Sequence, residues 1–292
     1  MPRVRIFTDF SSSTNAMKDV IHSHGPPPEG WEYVDDDTYT HAIIINVPTP
    51  ELLVPPERVV GLAHEPFIGF LTQRHPFLQI TPQFVEYAQK YIGKYIIGAP
   101  LNAHPFCEGY SYLYHVPAPP SDYIPASIHA NKPLFSMMVS HKQFAPGHSY
   151  RHVLANNLLK IPGFPVHIYG NGCSLLPNDP RVRGGFQSQE IMYIEYPFHI
   201  CIENFKLSNY ISEKIVNPLL YGTTPIYLGC TRIDDYFGPI IKLTGDVLKD
   251  IKLLYDIIQN PMEYKKQYKI DNCEVQRMSS LSQKLPALFD IL

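Results

Sequence analysis

The chain has 292 residues and a formal net charge of -3, with 45% hydrophobic and 17% charged residues. This length leaves room for two packed domains, and the composition is that of a globular protein rather than a disordered one. The small negative charge offers no broad attraction to nucleic acid, so any anionic ligand has to be bound locally.

Short apolar runs in the first half predict strands, and the helix-compatible stretch between them predicts an open α/β sheet. The predicted strands are Val4–Phe7, His41–Val47, Arg58–Leu62 and Tyr91–Ile97, with a helix at Pro82–Gln89. The segment from His115 to Ser127 then contains four prolines in thirteen residues. Proline resists both helix and central strand, so we place a domain boundary at residue 120.

A second alternation of strands and helices follows and predicts a Rossmann-type domain. The predicted strands are Leu134–Val139, Val166–Tyr169, His199–Ile202 and Thr224–Leu228. The predicted helices are Tyr150–Leu159, Ile211–Tyr221, Val247–Ile258, Pro261–Tyr268 and Ser282–Leu292. We therefore predict a first domain at 1–120, a second at 121–268 and a C-terminal helical tail at 269–292.

Polar residues follow the strand that ends at Ile202, where ligands of open α/β sheets bind. Glu203 and Asn204 lie at the end of this strand, and Glu213 and Lys214 fall in the first turn of the next predicted helix. Asn209 or Ser212 can cap that helix. A lysine in the first turn opposes the helix dipole, so its position favours an anion nearby. The alternative is that Glu213 and Lys214 are solvated helix residues.

The sequence YPFHICIENFKLSNYISEKIVNPLLYGTTPIYLG at 196–229 resembles the signature of the inverting fucosyltransferases of glycosyltransferase family ten. The matching positions are Tyr196, Phe198, Glu203, Asn204, Tyr210, Ser212, Glu213, Lys214, Pro225 and Gly229. Leu134–Leu159 resembles the family's arginine-bearing helix and its preceding strand, which places the family's pyrophosphate-binding arginine on Arg151. In the first half, Ala63-His64-Glu65-Pro66 is similar to the family's Glu-Ser-Pro.

The resemblance implies the GT-B architecture, an α/β fold of two Rossmann-like domains facing each other across a cleft. It also implies catalysis without a metal and with no cofactor other than a GDP- or UDP-linked nucleotide-sugar co-substrate. The implied donor-binding residues are Arg151, Glu203, Asn204, Tyr210, Ser212, Glu213 and Lys214. Arg151 and Lys214 would clamp the diphosphate, and Glu213 would accept hydrogen bonds from the ribose; an exposed helix arginine is the other interpretation of Arg151.

An inverting transferase needs a general base for the acceptor hydroxyl. Glu65 is the first candidate, because it follows a predicted strand and matches the acidic residue proposed for this task in the family. His64 could do the same chemistry near neutral pH, and Asp9 ends the first predicted strand. Glu65 could instead cap a turn or bind an acceptor hydroxyl.

Nothing in the sequence predicts a metal site. Asp35-Asp36-Asp37 has the Asp-x-Asp spacing of metal-dependent sugar transferases, but it precedes a predicted strand, so we interpret it as a solvated acidic turn. Among the thirteen histidines one pair, His148 and His152, has the His-x-x-x-His spacing, and the five cysteines show no Cys-x-x-Cys spacing. A single pair of ligands is fewer than the three or four that a zinc site requires.

The leading hypothesis is a glycosyltransferase that moves fucose from GDP-fucose onto a hydroxyl of a glycan acceptor. Pro197, Ile202 and His141 depart from the family pattern, which leaves open another donor such as UDP-xylose. A non-catalytic glycan- or nucleotide-binding protein is the alternative of a different class. We expect no nucleic-acid partner, no membrane span, no signal peptide and a cytoplasmic location, as in bacterial family members or divergent ones of large DNA viruses.

Overall fold

A computed structural model describes residues 1–66, 80–129, 132–268 and 271–290. The chain forms two compact units. The first comprises Met1–Pro117, Leu207–Ser212 and Ser279–Leu292, and the second Ala118–Lys206 and Glu213–Met278. The break after Pro117 falls in the proline-rich segment, three residues before the predicted boundary. The stretch predicted as a separate tail, 269–292, is divided between the two units.

The first unit is built on a parallel sheet. Its strands are β1 (Arg3–Thr8), β2 (Glu32–Val34), β3 (His41–Ile45), β4 (Val59–Leu62), β5 (Lys94–Ile97) and β6 (Phe106–Glu108). Within the described residues these six strands pair in the order β2-β1-β3-β4-β5-β6, every pair parallel. All four residues of β4 are buried, as expected when helices or loops cover both faces of a parallel sheet.

Among the described residues, the helices of the first unit come from the N-terminal half and from the C-terminal end of the chain. They are α1 (Ser13–His24), α2 (Pro82–Tyr91) and α10 (Leu281–Asp290), with a short 3-10 helix at Pro56–Arg58. The predicted α2 and α10 are confirmed, whereas α1 was not predicted. Ser12 caps α1 by accepting a hydrogen bond from the backbone N–H of Asn15. Leu281 and Leu285 of α10 are fully buried in the core beneath the sheet, so the C-terminal helix completes the first unit.

The acidic run differs from its prediction in one respect. The run precedes β3, as predicted, but Asp35 also directly follows β2, a strand that was not predicted. Each of its carboxylates has a local partner: Asp35 accepts a hydrogen bond from Thr14 Oγ1 at 2.7 Å, Asp36 accepts from the backbone N–H of Thr38, and Asp37 pairs with Arg5. All three aspartates are exposed.

The second unit repeats the architecture. Its strands are β7 (Phe135–Met138), β8 (Val166–Tyr169), β9 (Val182–Gly184), β10 (Phe198–Ile202), β11 (Thr224–Leu228) and β12 (Ile241–Lys242). In the described part of the chain they form a parallel sheet in the order β12-β11-β10-β7-β8-β9. The four predicted strands of this half are confirmed, with ends shifted by at most one residue.

The helices of the second unit are α3 (Pro146–Leu159), α4 (Ile191–Ile194), α5 (Glu213–Leu220), α6 (Asp234–Phe237), α7 (Val247–Gln259), α8 (Pro261–Gln267) and α9 (Asn272–Ser279), with a 3-10 helix at Asn171–Leu175. The core joins the sheet to α3 and α7, with Leu154, Leu158, Leu254 and Ile257 buried against strand residues. The central strand β10 is buried along its whole length. Its carboxyl end therefore presents polar side chains from a rigid base.

No helix in the described ranges combines the length and apolar character needed to cross a bilayer.

Candidate functional site

The carboxyl end of β10 meets the first turn of α3 in a backbone contact. The N–H of Gly147 donates to the carbonyl oxygen of Asn204 at 3.0 Å. A Cβ atom at position 147 would lie 1.8 Å from the carbonyl oxygen of Glu203, so a side chain cannot be accommodated there. Glycine thus lets α3 approach the strand end and bring Arg151, one turn further along, beside it.

Arg151 is anchored to this strand end. Its Nε donates to the carbonyl oxygen of Ile202 at 2.9 Å, and its Nη2 donates to the same oxygen and to Asn204 Oδ1 at 2.8 Å. The residue is only 5% exposed. The interpretation of Arg151 as an exposed helix arginine is therefore wrong, and a permanent positive charge lies within the carboxyl edge of the second sheet.

Lys214 brings a second cation to the same edge. It lies in the first turn of α5, as predicted, and its Nζ is 2.8 Å from Glu213 Oε1 and 3.9 Å from Glu203 Oε2. Burial by itself would lower the pKa of Lys214, but the carboxylates of Glu213 and Glu203 outweigh it and raise the pKa above its usual value. The ammonium is therefore charged at neutral pH.

One narrow pocket joins these groups. Arg151, Glu213 and Lys214 line it together with Gln189, Tyr193 and Cys201, and its volume is about 10 Å³. That is roughly the space of one water molecule. In this conformation a larger ligand can lie only across the mouth of the pocket, or it has to open the pocket.

His148 lies beside these cations, and its pKa is lowered there. Burial, followed by the charges of Arg151, Lys214 and Lys142, lowers the pKa of His148 to about 4. Its Nδ1 lies 3.3 Å from the backbone N–H of Ala145, which donates to it. The imidazole is thus neutral at physiological pH, as expected for a buried histidine beside cations.

The family comparison covers this whole arrangement. Residues 128–239 match the model described as "Glycosyltransferase family 10 (fucosyltransferase) C-term". These residues are similar to a glycosyltransferase family 10 domain. The predicted resemblance is confirmed, and the protein is a glycosyltransferase. Arg151 and every predicted residue from Glu203 to Lys214 fall inside the matched segment.

Solved structures give the same fold over the whole chain. An α1,3-fucosyltransferase solved with GDP aligns with a TM-score of 0.57 at 13% identity, covering 99% of this chain and 90% of that one. The lipopolysaccharide outer core galactosyltransferase WaaB aligns with a TM-score of 0.54 at 10% identity, covering 99% and 100%. The predicted GT-B fold is confirmed. A comparison with curated protein sequences gives no match.

Two predicted residues of the matched segment belong to the first compact unit. Tyr210 is buried, and its Cα would lie 2.9 Å from a Cβ atom at Gly98. Ser212 is buried and directly precedes α5, the position of a helix cap. Asn209, the other predicted cap, instead donates from Nδ2 to Glu108 Oε1 at 2.6 Å and from its backbone N–H to the carbonyl oxygen of Gly98.

The candidate bases lie at the carboxyl edge of the first sheet. Asp9 directly follows β1 and Glu65 follows β4, and both are exposed. Asn46, which the sequence did not single out, links this edge: its Nδ2 donates to Asp9 Oδ1 at 3.2 Å, and its Oδ1 accepts from the backbone N–H of His64 at 3.0 Å. Its φ of 61° is left-handed, which asparagine tolerates better than most residues.

His64 is poorly suited to the role of base. It is 8% exposed, and burial lowers its pKa to about 3. A group of that basicity accepts a proton inefficiently at neutral pH. Glu65 and Asp9 therefore stay as candidates.

Tyr227 is a further residue of the site that the sequence interpretation missed. Its hydroxyl contacts Glu203 Oε1, whereas Lys214 lies nearer to Glu203 Oε2. A tyrosine inside the apolar run Pro225–Leu228 was a usable signal, because a buried phenol needs a polar partner.

Across the described ranges, no group of three histidine, cysteine, aspartate or glutamate residues has an arrangement that could hold a metal ion.

Proposed function

We propose that the protein transfers fucose from GDP-fucose to a hydroxyl group of a glycan, with inversion at the anomeric carbon and without a metal ion. The observation that carries the proposal is a pair of cations that line one pocket at the carboxyl edge of the second sheet: Arg151, which is buried, and Lys214, whose side chain is 13% exposed. The family description names fucosyltransferases, and the similar α1,3-fucosyltransferase was solved with GDP.

In this proposal the two cations bind the diphosphate of the donor. Arg151 is held by the strand end, so its guanidinium needs no reorganisation when the phosphates arrive. Lys214 exchanges its contact with Glu213 for a phosphate oxygen, and Glu213 accepts hydrogen bonds from the ribose hydroxyls. Asn204 acts through Arg151, because its Oδ1 accepts one of the guanidinium hydrogens.

The transfer step needs a base and a stabilised leaving group. The acceptor oxygen attacks the anomeric carbon while the bond between that carbon and the β-phosphate oxygen breaks. The acceptor proton passes to the Glu65 carboxylate, and the electron pair leaves with GDP. Arg151 and Lys214 stabilise the charge that develops on GDP, a contribution of several kcal/mol for groups fixed in a low-dielectric site.

Nucleotide binding tests the proposal first. GDP, GDP-fucose, UDP and UDP-xylose are added separately, and the melting temperature is measured, since only ligands of the native state raise it. We expect GDP and GDP-fucose to raise it. If only UDP ligands raise the melting temperature, the proposed donor GDP-fucose is wrong, but a nucleotide-sugar transferase is still supported. If no nucleotide raises it, the proposed donor site is contradicted.

Lys214→Met then tests the cation. We expect GDP affinity to fall by about 1.5–3 kcal/mol, the value of a hydrogen bond to a charged group. Lys249→Met is the matched control, because Lys249 is an exposed lysine on α7 of the same unit.

A third experiment tests metal independence. Fucose release or transfer is measured with and without EDTA. Loss of activity that Mn²⁺ restores would contradict diphosphate binding by Arg151 and Lys214 without a metal ion.

A further inference from the structure

Tyr227 is a buried tyrosine of β11 whose hydroxyl lies beside Glu203. It is 1% exposed, and its hydroxyl accepts a hydrogen bond from the backbone N–H of Cys230 at 2.8 Å. The same hydroxyl donates toward Glu203 Oε1 at 3.4 Å. Burial and the Glu203 carboxylate raise the pKa of Tyr227 well above its usual value, so the phenol keeps the proton that it donates.

Gly229 makes this contact possible. A Cβ atom at position 229 would lie 2.3 Å from the Tyr227 hydroxyl oxygen and 2.4 Å from Glu203 Cγ. Any side chain there would separate the two groups. The glycine that ends the family motif thus has a local reason in this chain, which is the approach of Tyr227 to Glu203.

Glu203 has Tyr227 on one carboxylate oxygen and Lys214 on the other. Its Oε2 lies 3.9 Å from Lys214 Nζ, and its side chain has no exposed surface. A buried carboxylate needs such partners to remain ionised. By contrast, Glu213, the nearer partner of Lys214, has a side chain that is 32% exposed and can turn away.

We propose that Tyr227 and Glu203 are positioning residues that hold the Lys214 ammonium at the pocket when Glu213 leaves it for the donor. Neither residue has to touch the nucleotide, which changes the predicted role of Glu203 from donor contact to support. The inference rests on the proposed function, because it assumes that Lys214 meets the diphosphate.

Other charged or titratable groups act on Lys214 from each neighbouring element. They are Glu213 on α5 itself, Arg151 and His148 on α3, and Glu203 and Cys201 at β10. Glu203 raises the pKa of Lys214, whereas Arg151 lowers it. Removal of the Glu203 charge therefore lowers the pKa of Lys214 and increases the fraction of its nucleophilic, unprotonated amine.

Competitive acetylation of the ligand-free protein measures this state directly. Trace acetic anhydride is applied at several pH values, and the ratio of labelling at Lys214 to labelling at exposed Lys249 is read by mass spectrometry. We expect the ratio to rise about two- to tenfold in Glu203→Gln and to rise less in Tyr227→Phe. Tyr87→Phe is the control, because it removes a tyrosine hydroxyl that donates to the carbonyl oxygen of Pro50 in the first unit. An unchanged ratio in both variants would overturn the inference, whatever nucleotides bind.

GDP affinity completes the test. Tyr227→Phe and Glu203→Gln should each weaken GDP binding by about two- to tenfold, and neither should weaken it further in a Lys214→Met background. Equal losses in both backgrounds would show that the two residues act on the fold in general, and would reject a positioning role. If the wild type binds no nucleotide while the labelling ratio responds as expected, the proposed function fails but the control of Lys214 by Glu203 stands.

Discussion

The carboxyl edges of the two sheets are organised by different chemistry. At the edge of the first sheet a neutral amide, Asn46, links Asp9 to the backbone of His64. At the edge of the second sheet charged side chains gather: Lys214 lies near the buried carboxylate of Glu203 and lines one pocket with the buried Arg151. Both sheets consist of parallel strands, although their strand orders differ. The comparison shows that the parallel α/β scaffold fixes where polar groups gather, whereas the residues at the strand ends and on the adjoining helices set their charge.

The largest effect that separates the two edges is expected from Glu65→Gln. Transfer should fall by about 10²–10⁴-fold, because the amide cannot take the acceptor proton, while GDP affinity stays unchanged. Initial rates and GDP titrations measure the two quantities. Glu57→Gln is the control, since Glu57 is exposed and precedes β4 at its opposite end. Near-normal transfer by the Glu65 variant would move the base to Asp9.

Two glycine substitutions test how closely the backbone is packed in each unit, and whether this packing affects GDP binding. Gly147→Ala places a methyl group against Glu203, and Gly93→Ala places one 2.6 Å from the carbonyl oxygen of Pro56 in the first unit. Each should cost about 1–3 kcal/mol in the free energy of unfolding, measured with urea. Only Gly147→Ala should also weaken GDP binding.

Gly185→Ala is the reference for this pair, because an ideal Cβ atom there has no neighbour within 4 Å. Its unfolding free energy should stay within about 0.5 kcal/mol of the wild type. Equal GDP affinity in the Gly147 and Gly93 variants would contradict the role of α3 in placing Arg151.

The pH dependence of stability tests the neutral character of the first edge. His64 has a folded-state pKa of about 3, below its ordinary value of 6.5. The unfolded chain therefore binds the proton first, and the contribution of His64 to stability is present above pH 6.5 and is lost as the pH falls toward 3. At pH 5 this histidine should cost about 2 kcal/mol relative to pH 7. Urea unfolding of His64→Gln at both pH values should show a pH effect smaller by that amount; an identical effect would contradict it.

The smallest effect is expected at the end of β2. Asp37→Asn removes the ion pair with Arg5. Because the Asp37 side chain is 78% exposed, the free energy of unfolding should change by less than about 1 kcal/mol. Transfer should be unchanged, with or without Mn²⁺. A specific loss of Mn²⁺-dependent activity would mean that the Asp-x-Asp run serves the donor after all.

The sequence predicted the elements whose periodicity is strong. The buried strands β4, β10 and β11 appear as continuous apolar runs, and the segment from Glu203 to Lys214 carried a recognisable spacing. Helix α1 was missed, because only four of its twelve residues are buried and its sequence is polar. Its position follows from packing on β1 and from the Ser12 cap, which a hydrophobic pattern does not reveal.

The sequence predicted the charged residues of the candidate site but not the residues that contact and support them. Arg151 and Lys214 came from the resemblance, whereas Asn46 and Tyr227 carry no motif. Asn46 matters through a left-handed backbone and two tertiary hydrogen bonds, and Tyr227 matters through a contact that Gly229 permits. Such roles depend on residues distant in sequence, so no local pattern contains them.

The ion pair between Lys214 and Glu213 has a consequence for discrimination among the phosphates of a cell. Each of these two side chains has the other as a partner of opposite charge. Under the proposed function, inorganic phosphate would replace the partner of Lys214 but would offer no hydroxyl to Glu213. A nucleoside diphosphate would offer an anion and ribose hydroxyls together and would serve both side chains at once. The ion pair would thus disfavour incomplete ligands by the cost of separating it.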